Sequence, residues 1–353
     1  MWSDKKKIRV MIVDDSVVAR TMLNKGLSAH PRIEIVGTCF NAKDANTKIL
    51  QMRPDVVTMD VEMPGMSGIE FLKELLPKYP VPVILVSSLN LRVFDAMSAG
   101  AVDFVHKPEP GQTEAFIQTL CQKIITASNA KVRCPRPSAG GGVSAAPAAP
   151  IAPPSPLGNI MGASQTIIGL GASTGGTEAT LEVLKRLPAD IPPMLIVQHM
   201  PTGFTKMYAD RLNRLCAMEV REAQNGDELR RGLALLAPAD NQMRIVRNGS
   251  RYTVSCRPDE KVSGHRPSVD ALFTSMAEQV GCKMVGIIMT GMGRDGADGL
   301  LKMRQKGAYT IGQDKDSCVV YGMPMVAYNI GAVQVQASCE NIAHVLLRHL
   351  GGK

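Results

Sequence analysis

Short runs of consecutive apolar residues alternate along this chain with longer stretches in which apolar residues recur every three or four positions. Over the first third, apolar runs at 8–13, 33–38, 55–60, 83–86 and 102–105 predict strands. Amphipathic stretches at 16–28, 42–51, 68–77, 91–99 and 112–127 predict helices between and after them. Five such βα repeats imply a parallel sheet covered on both faces, because strands buried on both sides read as continuous apolar runs. The pattern stops at Ser138–Pro156, SAGGGVSAAPAAPIAPPSP, where Pro, Gly and Ala dominate and neither period survives. Such a segment buries too little to offset its ordering entropy and is expected to be a linker, stiffened where proline is dense. Alternation then resumes, with strands expected at 166–170, 193–198, 233–236 and 283–289 and helices at 175–187, 204–215, 268–279 and 297–306. The segment 218–256 is richer in strand signals, with a hairpin turn at Arg247-Asn248-Gly249-Ser250. The expected organisation is therefore two doubly wound α/β domains, 1–128 and 164–353, joined by a linker over 129–163. The second domain should be a three-layer α/β/α unit carrying a small antiparallel insertion.

Composition narrows the class without changing this outline. A chain of 353 residues that is 45% hydrophobic suits two globular cores. No apolar run is long enough to span a bilayer, so no membrane insertion is expected. The polar start, Met1-Trp2-Ser3-Asp4-Lys5-Lys6-Lys7, lacks a secretory pattern, and a cytoplasmic location is expected. The 8 cysteines are scattered, with no CxxC and no zinc-type spacing, which points to reduced packing residues. The net charge of +8 is spread out: residues 1–128 carry 15 Lys/Arg against 14 Asp/Glu, and residues 164–353 carry 22 against 18. A nucleic-acid footprint would cluster, and a helix-turn-helix output would need a compact basic helical segment where this chain offers strands and glycine turns, so no nucleic-acid partner is expected. A solvated surface or an acidic protein partner accounts for the balance.

The strand ends of the first domain carry chemistry. Ile8–Val13 runs into Asp14 and Asp15, the run 55–60 ends on Asp60 ahead of Val61-Glu62-Met63-Pro64-Gly65, the next strand ends on Ser87, and the last leads into His106-Lys107-Pro108. Ligands of such sheets bind outside the carboxyl ends of the strands. Carboxylates gathered there repel and persist only around a cation or proton. An all-oxygen set favours Mg²⁺, and Lys107 would help neutralise a transferring phosphoryl group on Asp60. A single strand-end aspartate is ordinarily a cap, as Asp14-Asp15-Ser16 could be, but matched groups at four strand ends argue against capping alone.

In the second domain, the strand at 166–170 gives way to Gly171-Ala172-Ser173-Thr174-Gly175-Gly176. Gly171 to Gly175 satisfies G-x-S-x-G, a turn that exposes a serine hydroxyl above the sheet and aims backbone N–H groups at an oxyanion. A dinucleotide turn would need glycine where Thr174 stands, and no P-loop lysine follows. An anion-binding or purely capping turn is the rival. A base is supplied by His199, at the end of Met194-Leu195-Ile196-Val197-Gln198, with His265 in the loop Ser263-Gly264-His265-Arg266-Pro267-Ser268 as second candidate. His344 and His349, on a terminal amphipathic stretch, look like surface or packing residues. An orienting carboxylate is Asp295, in Thr290-Gly291-Met292-Gly293-Arg294-Asp295-Gly296, whose rival role is a helix cap; Asp298, a turn further on, fits less well. The N–H groups of Thr174 and Met292 are candidate oxyanion donors. The order Ser173, His199, Asp295 differs from the Ser–acid–His order of α/β-hydrolases, which argues against a lipase of that fold.

On these motifs residues 6–125 resemble a response-regulator receiver domain, a flavodoxin-like fold. The resemblance implies that Asp60 accepts a phosphoryl group from a histidine kinase. It implies that Asp15, Asp60 and the backbone carbonyl of Glu62 hold Mg²⁺ with support from Asp14, that Lys107 contacts the phosphoryl group, and that Ser87 and Phe104 form a switch pair. Residues 164–350 resemble the catalytic domain of chemotaxis protein-glutamate methylesterases, a Rossmann-like three-layer fold, through GASTGG, QHMP with Phe204, His265-Arg266-Pro267-Ser268-Val269-Asp270 and TGMGRDG. That resemblance implies a Ser173–His199–Asp295 triad with no cofactor of its own, hydrolysis of glutamyl methyl esters on methyl-accepting chemoreceptors, and in some members deamidation of receptor glutamines. A receiver ahead of it implies control by phosphorylation, with the receiver blocking the serine site until Asp60 is phosphorylated. A general serine esterase and a non-enzymatic adaptor are the alternatives.

Overall fold

A computed structural model describes residues 6–88, 92–132 and 166–351, which fall into two compact units on either side of the stretch 133–165. The linker expected over 129–163 lies outside the described residues except at its start, where Asn129 and Ala130 still hydrogen-bond to the end of the preceding helix.

The first unit runs β1 (Ile8–Val13), α1 (Val17–Ser28), β2 (Ile33–Cys39), α2 (Ala42–Met52), β3 (Val56–Met59), α3 (Gly68–Leu75), β4 (Val83–Ser87), α4 (Arg92–Ser98), β5 (Asp103–His106) and α5 (Thr113–Ala127). Its sheet is parallel with order β2-β1-β3-β4-β5. The reversal of order lies between β1 and β3, where a ligand crevice opens in such sheets. Register pairs Val13 with Met59 and Ser87 with His106, so the residues that follow these strands share one edge. Ser16, Asn41 and Ser67 cap α1, α2 and α3 through their side chains, and Ser67 with Glu70 completes a capping box.

The second unit runs β6 (Thr166–Ala172), α6 (Gly176–Leu184), β7 (Met194–Gln198), α7 (Phe204–Leu215), β8 (Glu219–Glu222), β9 (Leu233–Leu236), β10 (Gln242–Asn248), β11 (Arg251–Arg257), α8 (Val269–Gln279), β12 (Lys283–Ile288), α9 (Ala297–Gln305), β13 (Tyr309–Gln313), α10 (Met323–Asn329), β14 (Val335–Ala337) and α11 (Ile342–Leu350). Seven strands form a parallel sheet in the order β14-β13-β12-β6-β7-β9-β8, and β10–β11 is the separate antiparallel hairpin expected around Asn248-Gly249. Both units are thus doubly wound, as the alternation predicted. Strands β13 and β14 and helix α10 were not predicted. β13 contains Gly312 and Gln313, β14 has three residues, and α10 carries Pro324 in its first turn, so none displays a long apolar period.

The sheet core closes over β6. Its glycines face α8 without side chains: a Cβ on Gly171 would lie 2.2 Å from Val269 Cγ1, and one on Gly169 would lie 2.7 Å from Met276 Sδ. Val269 opens α8, so the closeness of strand and helix sets where that helix begins. Gly171→Ala should therefore overpack this contact and cost about 1–3 kcal/mol, read as a lower denaturation midpoint for the second unit.

Candidate active site and phosphoacceptor pocket

In the first unit, Asp14 and Asp60 are buried and Asp15 is exposed, and one carboxylate oxygen of each falls within 4.8 Å of the others. Backbone pairing causes the convergence, since the Asp60 N–H donates to Val13 O at 2.9 Å. Lys107 Nζ lies 2.5 Å from Asp60 Oδ2 and 3.3 Å from Asp14 Oδ2. Asp60 Oδ1 accepts the Glu62 N–H at 3.1 Å, and Asp14 Oδ1 accepts the Ser16 N–H at 2.9 Å. Burial pushes the Asp14 carboxyl above its ordinary range, against the opposing pull of Lys107 and the Ser16 N–H. Lys107 is raised: burial opposes its charge, but its contacts with Asp60 and Asp14 outweigh that.

Asp14 Oδ2 is buried with only the Lys107 ammonium near it, and the three converging ligand atoms are all carboxylate oxygens, so the cluster fits a hard divalent cation. A cleft of about 470 Å³ opens over it, lined by Asp15, Asp60, Glu62, Ser88, Arg92 and Lys107 among others. Two serines, Ser67 and Ser88, line this cleft. Ser87 is buried at the end of β4, and Phe104 is buried with its ring edge-on to Phe94 at 6.2 Å.

In the second unit, Ser173, His199 and Asp295 follow β6, β7 and β12, three adjacent strands. Register places Ala172 opposite Gln198 and Ile288 opposite Gly171. The His199 N–H donates to Ala172 O at 3.2 Å, and the Ser173 N–H donates to Thr290 O at 2.9 Å. Gln198 Nε2 donates to both Ser173 O and His199 O, tying the two turns together. The side chains meet accordingly: His199 Nδ1 lies 3.2 Å from Ser173 Oγ, and His199 Nε2 lies 2.8 Å from Asp295 Oδ2. A carboxylate only accepts, so this geometry puts the ring proton on Nε2 and leaves Nδ1 as the acceptor facing the serine.

Asp295 is 1% exposed, and a carboxylate so buried persists only if its oxygens are satisfied. The N-terminus of α8 satisfies them. Ser268 Oγ and the Asp270 N–H donate to Oδ1 at 2.7 and 3.0 Å, and the Val269 N–H donates to Oδ2 at 2.8 Å. Burial raises the Asp295 pKa, but His199, Ser268 and the Asp270 N–H together outweigh it and hold the carboxyl below its ordinary range. The neighbouring Asp270 is raised, chiefly by burial and also by the negative Asp295, although Gly299 N–H and Ser263 Oγ donate to it. Asp298 is paired with Arg294 at the surface, at 2.8 Å.

Thr174 is buried beside Ser173, and Met292 is 42% exposed. Gly291 brings the Met292 turn against the serine: a Cβ there would lie 2.6 Å from Ser173 Cβ. His265 does not occupy the base position but stacks on the His199 ring. His349 is exposed and stacks on Tyr309. The sequence reading missed Ser268 and Gln242. Gln242 is fully buried, donates to His265 O and accepts the Ser268 N–H. Among the described residues all 7 cysteines are free thiols, and Cys134 lies outside them. No helix among those residues is long and apolar enough to cross a membrane.

Residues 168–346 match the family profile described as CheB methylesterase, and residues 10–119 match the response regulator receiver domain. The chain belongs to the CheB methylesterase family. A protein-glutamate methylesterase/protein-glutamine glutaminase 2 of Syntrophomonas wolfei is 47% identical over 97% of this chain and 98% of that relative. A protein-glutamate methylesterase/protein-glutamine glutaminase of Syntrophotalea carbinolica is 44% identical over 96% of each. Among solved structures, the CheB methylesterase catalytic domain of Thermotoga maritima matches with a TM-score of 0.51 and 33% identity, covering 53% of this chain and 99% of that one. This family membership accords with the two parallel α/β units and with a receiver ahead of an esterase fold.

The cradle around Asp295 makes a stability prediction. A carboxylate held below its ordinary pKa contributes stability that is complete above the unfolded value, ~4, and is lost as the pH falls through the folded value. Ser268→Ala removes one donor to Asp295 and the side-chain cap of α8, which accepts the Ala271 N–H. It should cost about 1–2 kcal/mol at neutral pH. The gap from the parent should narrow on acidification below pH ~4, leaving only the cap's share, as followed by denaturant midpoints across pH.

Proposed function

We propose that this chain is a phosphorylation-regulated chemotaxis methylesterase that hydrolyses glutamyl methyl esters on methyl-accepting chemoreceptors and deamidates receptor glutamines. The observation that carries the reading is the continuous relay from Ser173 Oγ through His199 to Asp295, 3.2 Å and then 2.8 Å, at the edge of adjacent strands. Near-identical names across relatives that align over almost the whole chain support the substrate class.

In the proposed mechanism, Ser173 Oγ attacks the ester carbonyl carbon as its proton passes to His199 Nδ1. The N–H groups of Thr174 and Met292 donate to the oxyanion. The tetrahedral adduct collapses, the C–O bond to the methoxy group breaks, and the same proton leaves with methanol. Water then attacks the glutamyl–serine ester, giving one proton to His199 that returns to Ser173 Oγ; the glutamyl carboxylic acid so formed departs and releases its remaining proton to solvent. Asp295 stays ionised throughout and offsets the charge of the imidazolium. An amide substrate follows the same path with ammonia as leaving group.

Asp60 is the proposed phosphoacceptor, with a histidine kinase as donor. Asp15, Asp60 and the backbone carbonyl of Glu62 would hold Mg²⁺, which when bound supplies positive charge to the phosphoryl oxygens. Asp14 supports that cluster, Lys107 contributes the protein's own positive charge, and Ser87 with Phe104 responds to the modified aspartate. The linker reading of 129–163 and a cytoplasmic location complete the proposal; a soluble enzyme reaching receptor cytoplasmic segments needs no membrane insertion, and no nucleic acid is involved.

The test uses receptor membranes carrying radiolabelled methyl esters, with and without a small phosphodonor. Ser173→Ala should abolish methanol release and leave Asp60 phosphorylation intact; retained hydrolysis would remove the serine from the mechanism. Asp60→Asn should keep the unstimulated rate and lose the response to the phosphodonor. A full response in that variant would assign the switch elsewhere.

A further inference from the structure

Two edges of the His199 ring are accounted for by Ser173 and Asp295. Its face is not, and a ring pinned only at two atoms on one side-chain axis can still tilt. His265 covers that face. The two rings stack with centroids 3.8 Å apart and planes 9° from parallel. His199 thereby becomes nearly enclosed, with 11% of its side chain exposed.

The seat of His265 is rigid for reasons visible in its backbone. Its N–H donates to Val262 O at 2.9 Å, and its carbonyl accepts the Val262 N–H at 3.1 Å, closing a tight bridge. The same carbonyl accepts Gln242 Nε2 at 2.9 Å. Gln242 Oε1 in turn accepts the Ser268 N–H at 2.9 Å, and Ser268 Oγ donates to Asp295 Oδ1 at 2.7 Å. One short segment, 262–270, therefore presents both the ring that lies on His199 and the helix terminus that holds its carboxylate. Buried Gln242, at the head of β10, sets the spacing between the two.

We propose that His265 is a positioning residue: its ring clamps the face of His199 and keeps Nδ1 directed at Ser173 while Nε2 stays on Asp295. The role requires a flat ring at that position and no proton transfer by His265. It rests on the esterase reading of the relay and adds to it a contact the reaction scheme does not need but its geometry does. Misplacing a catalytic group by about an ångström costs on the order of a hundredfold in rate, so loss of the clamp should appear in kcat rather than in substrate binding.

The test compares His265→Ala and His265→Phe in the full-length protein, with the phosphodonor present and receptor membranes bearing radiolabelled methyl esters as substrate. His265→Ala should lower kcat roughly ten- to a hundredfold with KM little changed, and His265→Phe should recover most of that loss. In ¹⁵N spectra of the imidazoles, His199 should hold the Nε2–H tautomer in the parent and in His265→Phe, and become a mixture in His265→Ala. Unchanged kcat in His265→Ala overturns the proposal. So does a phenylalanine variant as impaired as the alanine one, which would make the nitrogens of His265 the active feature. A fall in kcat that tracks a lower melting temperature, with the His199 tautomer unaltered, also overturns it, in favour of a purely structural role. If the parent releases no methanol, the esterase reading fails instead, and the tautomer measurement alone still decides whether His265 clamps the ring.

Discussion

A single buried carboxylate organises the second unit. Asp295 lies beneath the sheet edge, where an unsatisfied charge would cost several kcal/mol, and four donors converge on it. Two are backbone N–H groups from the first turn of α8, which have no partner within the helix and are drawn to negative charge. The helix thus gains a cap from outside its own sequence, and the carboxylate gains a reason to remain ionised. One consequence is chemical: with both oxygens occupied, the only orientation open to His199 that satisfies Nε2 is the one that turns Nδ1 toward Ser173. The second is architectural. α8 has to approach β6 closely enough to present that turn, and Gly169 and Gly171 provide the room.

The first unit solves the opposite electrostatic problem with the same topology. Both sheets reverse strand order beside their first strand, and both gather side chains at the carboxyl edge of that reversal. In the first, three carboxylates share the edge beside Lys107, and burial, with the nearby Asp60 charge adding to it, leaves Asp14 reluctant to ionise. In the second, Asp295 takes four donors and is held below its ordinary range, while the neighbouring Asp270 is raised. A cluster of carboxylates short of cations suits the metal and phosphoryl group proposed for it; a carboxylate rich in donors suits the proposed proton relay. The fold is shared, and the balance of donors to acceptors at the strand ends separates the two chemistries.

Much of this was legible in the chain. Apolar runs located β1, β7 and β9 to within a residue, because strands buried on both faces are nearly all apolar, with only Arg9 and Gln198 as polar members. Ser173 and His199 were legible for the same reason, each coming directly after a buried run, and Asp295 through the glycine bend that follows another. Elements whose stability comes from their neighbours were not. β14 has three residues and exists by pairing with β13, and α10 is held through Gly291, whose carbonyl accepts from Gly322 and Met323. Ser268 stood in a quoted motif, but its role and that of Gln242 could not be read, because their partners lie 27 and 26 residues away. His265 was legible as a histidine near the site. Its stacked position could not be read from a loop with no periodicity, and the sequence ranked it as a rival base when it is a neighbour of the base.

The use of the ring nitrogens follows from strand order. His199 and Ser173 follow adjacent strands, about one interstrand spacing, ~4.8 Å, apart, whereas Asp295 lies in the turn after β12, on the far side of β6. Nδ1 is the ring nitrogen nearer the backbone, so it is the one that can face the close neighbour, and only the outer Nε2 reaches across β6 to the carboxylate. Exchanging the roles would need the serine farther off or the aspartate on the strand next to β7. The same order, β7-β6-β12, makes the chain sequence serine, histidine, aspartate, because β12 enters the sheet on the opposite side of the first strand after a long excursion through β10, β11 and α8. That excursion is also what carries Gln242, His265 and Ser268 to the site. The inserted hairpin and its following loop are therefore part of the relay's support, and the departure from α/β-hydrolase order is a consequence of how the sheet is wound.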